Sequence, residues 1–277
     1  MSDQVIGLIA GGGQFPLLVA RAAREQGLTV AAVGFAGYSN AEVAQVAQAW
    51  SELKIGQLGR LIDFFKAHGV SRVLMAGSID KSMAMSFKNI RPDIRAAKLL
   101  ARLALKGDDQ LFRGLVQELE GEGLPVVPAH TLLPQLLTPA GILTRTKPST
   151  QAVKDLRLAL ATARELGRLD IGQCVVVKRG IVAAVEALEG TDATIRRGCS
   201  LAGAKCVAVK VFKPGQSKRV DLPSVGLATI EILREFKAIA LGVEAGQSLF
   251  FDREQALAVA DRAGIAVVGI SGDFLGP

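Results

Sequence analysis

Between Val185 and Glu231 the chain sets carboxylates on either side of a run of cations. It opens with Val185-Glu186-Ala187-Leu188-Glu189-Gly190-Thr191-Asp192. Between Asp192 and Asp221 stand Arg196, Arg197, Lys205, Lys210, Lys213, Lys218 and Arg219, with no carboxylate among them. It closes with Asp221-Leu222-Pro223-Ser224-Val225-Gly226-Leu227-Ala228-Thr229-Ile230-Glu231. Carboxylate oxygens suit a hard divalent cation, and a block of cations suits a polyanionic ligand. The plainer alternative is a solvated basic face, with Asp192 a helix cap and Asp221 a turn residue.

Two other segments invite ligands. Ala10-Gly11-Gly12-Gly13-Gln14-Phe15-Pro16 joins an apolar run to a helical pattern. Glycines let the backbone approach a phosphate, and helix N-terminal amides favour an anion. Pro16 stands where a dinucleotide fingerprint needs its third glycine, and no Gly-Lys-Ser/Thr follows, so NAD and ATP are both poorly supported. A tight structural turn is the alternative. Gly77-Ser78-Ile79-Asp80-Lys81 ends another apolar run and could lie beside the glycine loop, although it also fits ordinary turn chemistry.

The elements that must carry these residues alternate. In the first half, strands are expected at 5–10, 28–33, 70–76 and 124–127, with helices at 15–26, 41–48, 58–68, 94–105 and 110–120. In the second, helices are expected at 151–166, 191–201, 228–236 and 253–263. Strands are expected at 174–178, 181–185, 206–211, 238–243 and 265–270. The expectation is an α/β protein of two α/β domains. Residues 1–135 form a Rossmann-like N-terminal domain with a parallel sheet, and 151–277 a C-terminal catalytic domain of mixed α/β type. The proline-rich stretch 136–150 is read as the linker.

Composition narrows the function. The chain has 277 residues, 49% hydrophobic and 21% charged, the balance of a globular protein. No apolar run approaches the roughly 20 residues that span a bilayer, and the N-terminus lacks a signal-peptide pattern, so a cytoplasmic protein is expected. The net charge of +7 with 5% aromatic residues disfavours a nucleic-acid groove and favours a local anion site. Cys174, Cys199 and Cys206 show no paired spacing and are read as small buried hydrophobes. With only His68 and His130, a histidine-rich metal centre is disfavoured, and His68 before Gly69 reads as a helix end.

Taken together, these stretches resemble the LpxI-type UDP-2,3-diacylglucosamine pyrophosphatases of lipid A biosynthesis. The resemblance spans essentially the whole chain. Besides the segments above it includes Lys106-Gly107-Asp108-Asp109-Gln110-Leu111, Lys213-Pro214-Gly215-Gln216, Glu244-Ala245-Gly246 and Ala260-Asp261-Arg262-Ala263-Gly264-Ile265. Its most specific parts are Glu189-Gly190-Thr191-Asp192 and Asp221-Leu222-Pro223-Ser224-Val225-Gly226. It implies two domains with substrate between them, and water attack on the α-phosphorus of the UDP group. The products would be UMP and 2,3-diacylglucosamine 1-phosphate (lipid X), with Mg²⁺ or another divalent cation as cofactor. It further implies an aspartate before Thr229, where this chain has Ala228, so catalytic impairment is expected. On this reading Asp192, Glu186 and Lys213 join position 228 as catalytic residues, Asp192 and Glu186 holding the metal. Gly11, Gly12, Gly13, Gln14, Phe15, Ser78, Asp80, Thr191, Asp221 and Thr229 bind substrate. The lipid substrate implies transient, peripheral contact with the inner-membrane surface, and a homodimer is a further expectation. A non-catalytic sugar-nucleotide or lipid carrier is the alternative from another class. A nicotinamide-dependent oxidoreductase is disfavoured by Pro16.

Overall fold

The computed structural model describes residues 4–78, 92–103, 108–215, 217–220 and 222–272. Its contacts separate two compact units: Met1–Pro134 with Ser217–Asp221, and Gln135–Gln216 with Leu222–Pro277.

The first unit runs β1 (Val5–Ala10), α1 (Phe15–Glu25), β2 (Thr29–Phe35), α2 (Glu42–Val46), β3 (Ala49–Leu53), α3 (Leu58–Ala67) and β4 (Arg72–Ala76). It continues with α4 (Ile94–Leu103), α5 (Asp108–Gly121) and β5 (Val126–Val127). The strands order as β3-β2-β1-β4-β5, and every pair is parallel. The apolar runs of β1, β2 and β4 are almost wholly buried, as a sheet covered on both faces requires. Ile62 and Phe65 of α3 and Leu119 of α5 pack over Val33 and Val73. Val220, from the returning segment 217–221, joins this cluster, and Arg219 pairs with Glu120 at 2.6 Å. The expected helix at 41–48 shrinks to the five residues of α2. Residues Ala49–Leu53 instead form the edge strand β3, which lacks the alternation that marks a strand in sequence.

The second unit runs β6 (Gly141–Ile142), α6 (Thr150–Arg168), β7 (Cys174–Lys178), β8 (Ile181–Val185), α7 (Thr191–Ala202) and β9 (Val207–Lys210). It continues with β10 (Ser224–Val225), α8 (Leu227–Glu235), β11 (Ala240–Glu244), β12 (Leu249–Phe250), α9 (Arg253–Arg262) and β13 (Ala266–Ile270). Its main sheet, β6-β13-β11-β9-β7-β8, is mixed. Strands β13, β11 and β9 are parallel, while β6, β7 and β8 each run antiparallel to a neighbour. Val207 and Val209 pack with Leu156 and Ala159 of α6 on one face. Cys174 and Ala208 pack with Ile195 of α7 and Ile230 of α8 on the other. Residues 136–150, expected as a linker, are built into this unit: Ile142 pairs with Val268, and Leu143 N donates to Val267 O at 2.8 Å. Ser149 caps α6 by accepting from Ala152 N at 3.2 Å.

Candidate active site at the edge of the second sheet

Strand directions decide what meets. Because β7 reverses between β8 and β9, the C-terminal ends of β8, β9 and β11 share one edge with the start of β7. Glu186 follows β8, Lys210 ends β9, Lys213 lies three residues on, and Glu244 ends β11. Ligands of α/β sheets gather at such carboxyl edges.

Glu186 is buried, with both carboxylate oxygens held. Oε1 accepts from Thr191 Oγ1 at 3.2 Å and Oε2 from Gln173 N at 3.3 Å. Asp192 is exposed at the head of α7, and Thr229 Oγ1 donates to its Oδ1 at 3.5 Å. The N-termini of α7 and α8 are thereby brought together. Gly190 precedes α7 at φ 83 and Gly226 precedes α8, and neither offers a side-chain cap. Thr191 and Asp192 are therefore the first helical residues, and neither caps the helix as one alternative had it. Two helix starts with inward amides and positive dipole ends suit an anion. Ala228, second residue of α8, is exposed beside Thr229.

Lys213 is 5% exposed and pairs with Asp170, which sits in a left-handed turn (φ 55) after α6. Its backbone is fixed from behind. Phe212 N donates to Glu244 Oε2 at 2.7 Å, while Arg164 donates through Nε and Nη2 to Glu244 Oε1 at 3.2 and 2.8 Å. Gly167 of α6 leaves room for this loop, since a Cβ there would lie 3.0 Å from Pro214 Cδ. Sequence reasoning did not single out Asp170, Arg164 or Glu244 as site residues. The carboxylate closing the buried strand Ala240–Glu244 was a usable signal, because a charge at such a place needs partners. Asp170 offered no such signal.

All three cysteines are free and buried, as their lack of pairing suggested. Burial pushes the Cys174 thiol pKa well above its ordinary value; the Glu186 and Asp192 carboxylates add to this and Lys210 opposes it. An arginine holds Glu189 in place: its carboxyl is drawn below the usual range by Arg197.

Mg²⁺ commonly takes one or two protein carboxylates, several waters and substrate phosphate oxygens. Among the described residues, no three His, Cys, Asp or Glu side chains form a metal-binding group. The exposed Asp192, with Glu186 joined to it through Thr191, fits the smaller donor set. It does not form an all-protein cage.

In the first unit the glycine loop and Ser78 do lie together. Gly12 bridges Ser78, with Gly12 N donating to Ser78 O at 2.8 Å and Ser78 N to Gly12 O at 3.2 Å. Gly11 N donates to Ala76 O at 2.7 Å, so two of the loop's amides are already committed to backbone. Gly13 takes φ 85, and Gln14 and Phe15 lead into α1 with Pro16 in its first turn. Asp80 and Asp221 lie outside the described residues.

Comparison with known proteins divides the chain near residue 137. Residues 5–136 match the profile of the LpxI N-terminal domain, and 139–268 that of the LpxI C-terminal domain. The UDP-2,3-diacylglucosamine pyrophosphatase LpxI of Caulobacter vibrioides is 37% identical over 278 residues, covering 96% of this chain and 97% of that protein. Among solved structures, the biotin carboxylase domain of the Hydrogenobacter thermophilus 2-oxoglutarate carboxylase aligns at TM-score 0.30 and 14% identity, over 72% of this chain and 41% of that one. The biotin carboxylase subunit of a pyruvate carboxylase aligns at 0.29 and 16%, over 73% and 42%. The chain spans less than half of those two structures, and similarity at that level says nothing about function.

Proposed function

The chain belongs to the LpxI family, and from that premise we propose that it acts on UDP-2,3-diacylglucosamine, yielding UMP and 2,3-diacylglucosamine 1-phosphate by attack of water on the α-phosphorus. The observation that carries this reading is the meeting of Glu186, Thr191, Asp192 and Thr229 at two uncapped helix starts. The helix amides and Lys213 supply positive potential for the diphosphate. Thr191 and Thr229 orient the two carboxylates. Asp192, with Glu186 behind it, would hold Mg²⁺, which when bound would neutralise phosphate charge and polarise the phosphorus.

Position 228 sits in the first turn of α8, next to Thr229 and so next to Asp192. A carboxylate there would be stabilised by the helix start and could orient the attacking water. Ala228 supplies no such group, so this chain binds its substrate and turns it over slowly. That same residue favours the second reading, a carrier that binds without hydrolysis.

No described helix is long and apolar enough to cross a membrane. The proposed reaction on a lipid-linked nucleotide has the protein working from the cytoplasm and touching the inner membrane transiently, with attraction of basic surface to anionic lipid. The deciding experiment mixes the protein with UDP-2,3-diacylglucosamine and Mg²⁺ and measures UMP, with the Ala228→Asp variant alongside. UMP from either, abolished by chelation and restored by Mg²⁺, supports the enzyme. Tight binding with no UMP from either supports the carrier.

A further inference from the structure

Lys210 is the most anomalous charge in the second unit. It ends β9, directly opposite Cys174 in the antiparallel register of β7 and β9. The residue is 7% exposed. Its ammonium donates to Ser224 O at 2.8 Å, and among the described residues it forms no ion pair. The other buried lysine of the unit, Lys213, has Asp170. A buried ammonium with only a carbonyl partner is strongly disfavoured unless an anion comes to it.

Three further features show where that anion would sit. Ser224 lies two residues before Gly226, the uncapped residue that opens the nine-residue helix α8. Lys210 shares a sheet face with Cys174 and Ala208, the face covered by α7 and α8. Cys174 feels Lys210 together with Glu186 and Asp192, so all three charged groups belong to one neighbourhood.

We propose that Lys210 and the N-terminal amides of α8 form a phosphate-binding subsite that takes one phosphoryl group of a diphosphate. This rests on the function proposed above and singles out from the cationic run one residue beyond Lys213, by its burial and its place beside α8. An ammonium has three protons, and Ser224 O takes one. A phosphoryl oxygen taking another would give the ammonium the direct ionic partner it lacks among the described residues, through a charge-assisted hydrogen bond.

The test is binding of inorganic pyrophosphate to the full chain by titration calorimetry, for the unchanged protein, Lys210→Met and Lys205→Met. Lys205 is an exposed cation of the same basic run and controls for general charge. Lys210→Met is expected to weaken binding about tenfold or more. Its melting temperature should hold or rise, because methionine fills the same space without a buried charge. Lys205→Met should leave both unchanged. Unchanged pyrophosphate affinity in Lys210→Met overturns the proposal. So does equal weakening by the two variants, or a marked fall in melting temperature of Lys210→Met without lost affinity. UMP release from UDP-2,3-diacylglucosamine is followed in parallel. If neither the unchanged protein nor its Ala228→Asp variant forms UMP while pyrophosphate binds through Lys210, the hydrolytic reading fails and the subsite stands.

Discussion

At the scale of single residues, the chemistry turns on whether a carboxylate stands at position 228. Ala228 is exposed at the first turn of α8, so aspartate fits there without displacing core. Ala228→Asp is expected to raise UMP release by about two orders of magnitude or more and to change substrate affinity little, because a water-orienting group acts mainly in the transition state. Equal turnover in the two forms, measured under saturating substrate, removes the role given to this position. The carboxylates already present divide their labour by exposure. Asp192 is open to a ligand, whereas Glu186 is enclosed and held by Thr191 and Gln173. Residue types alone could not make that distinction.

At the scale of elements, the site depends on turns and close approaches that the hydrophobic pattern does not mention. The β7–β8 hairpin turns through Arg179 (φ 50) and Gly180 (φ 76). Buried Asp155 of α6 accepts from both their amides at 2.8 Å and from Gln151 Nε2 at 3.0 Å. This bond set pins α6 to the hairpin that delivers Glu186. Asp155→Ala strands two amides and should lower unfolding stability by about 2–4 kcal/mol, read from urea melts. In the first unit Gly77 has φ 88, and a Cβ there would overlap Gly12 O. Gly77→Ala should therefore destabilise by at least about 1 kcal/mol and separate the glycine loop from Ser78. An unchanged melting temperature would show that the β1–β4 loop junction is slack.

At the scale of the whole molecule, the chain leaves the first unit after Pro134 and returns to it over 217–221 before ending in the second. The returning segment gives the first unit one acid-sensitive point. Burial lowers the His130 pKa, and the charge of Lys218 lowers it further. The folded protein thus resists a proton that the unfolded chain accepts near pH 6.5. This stability is fully present above that pH and is lost as pH falls towards the lowered folded value. Melting temperature should decline on acidification from about pH 7 through about pH 6, and His130→Gln should flatten that decline. A slope identical in both forms would rule out His130 as its source. Glu189 adds a lower window, since its carboxyl is held below the usual range by Arg197 and loses that pairing only in stronger acid.

The sequence by itself determined the family, the alternation of strands and helices, and most element positions, because these are local signals. The apolar period of α6, the glycine stops after α1 and α3, and the acidic-to-basic run were all visible in the order of residues. His68 closes α3 as its place before Gly69 suggested, with Nδ1 2.8 Å from Phe64 O. Only the tertiary structure decided that β7 runs against β9, which sets the ends of β8, β9 and β11 along one edge. It also decided that the stretch after residue 135 is built into a unit, that Glu244 steadies the Lys213 loop, and that Lys210 is buried with no carboxylate ion pair among the described residues. The reason is physical: periodicity reports which face of an element is apolar, but the worth of a charge depends on neighbours distant in sequence.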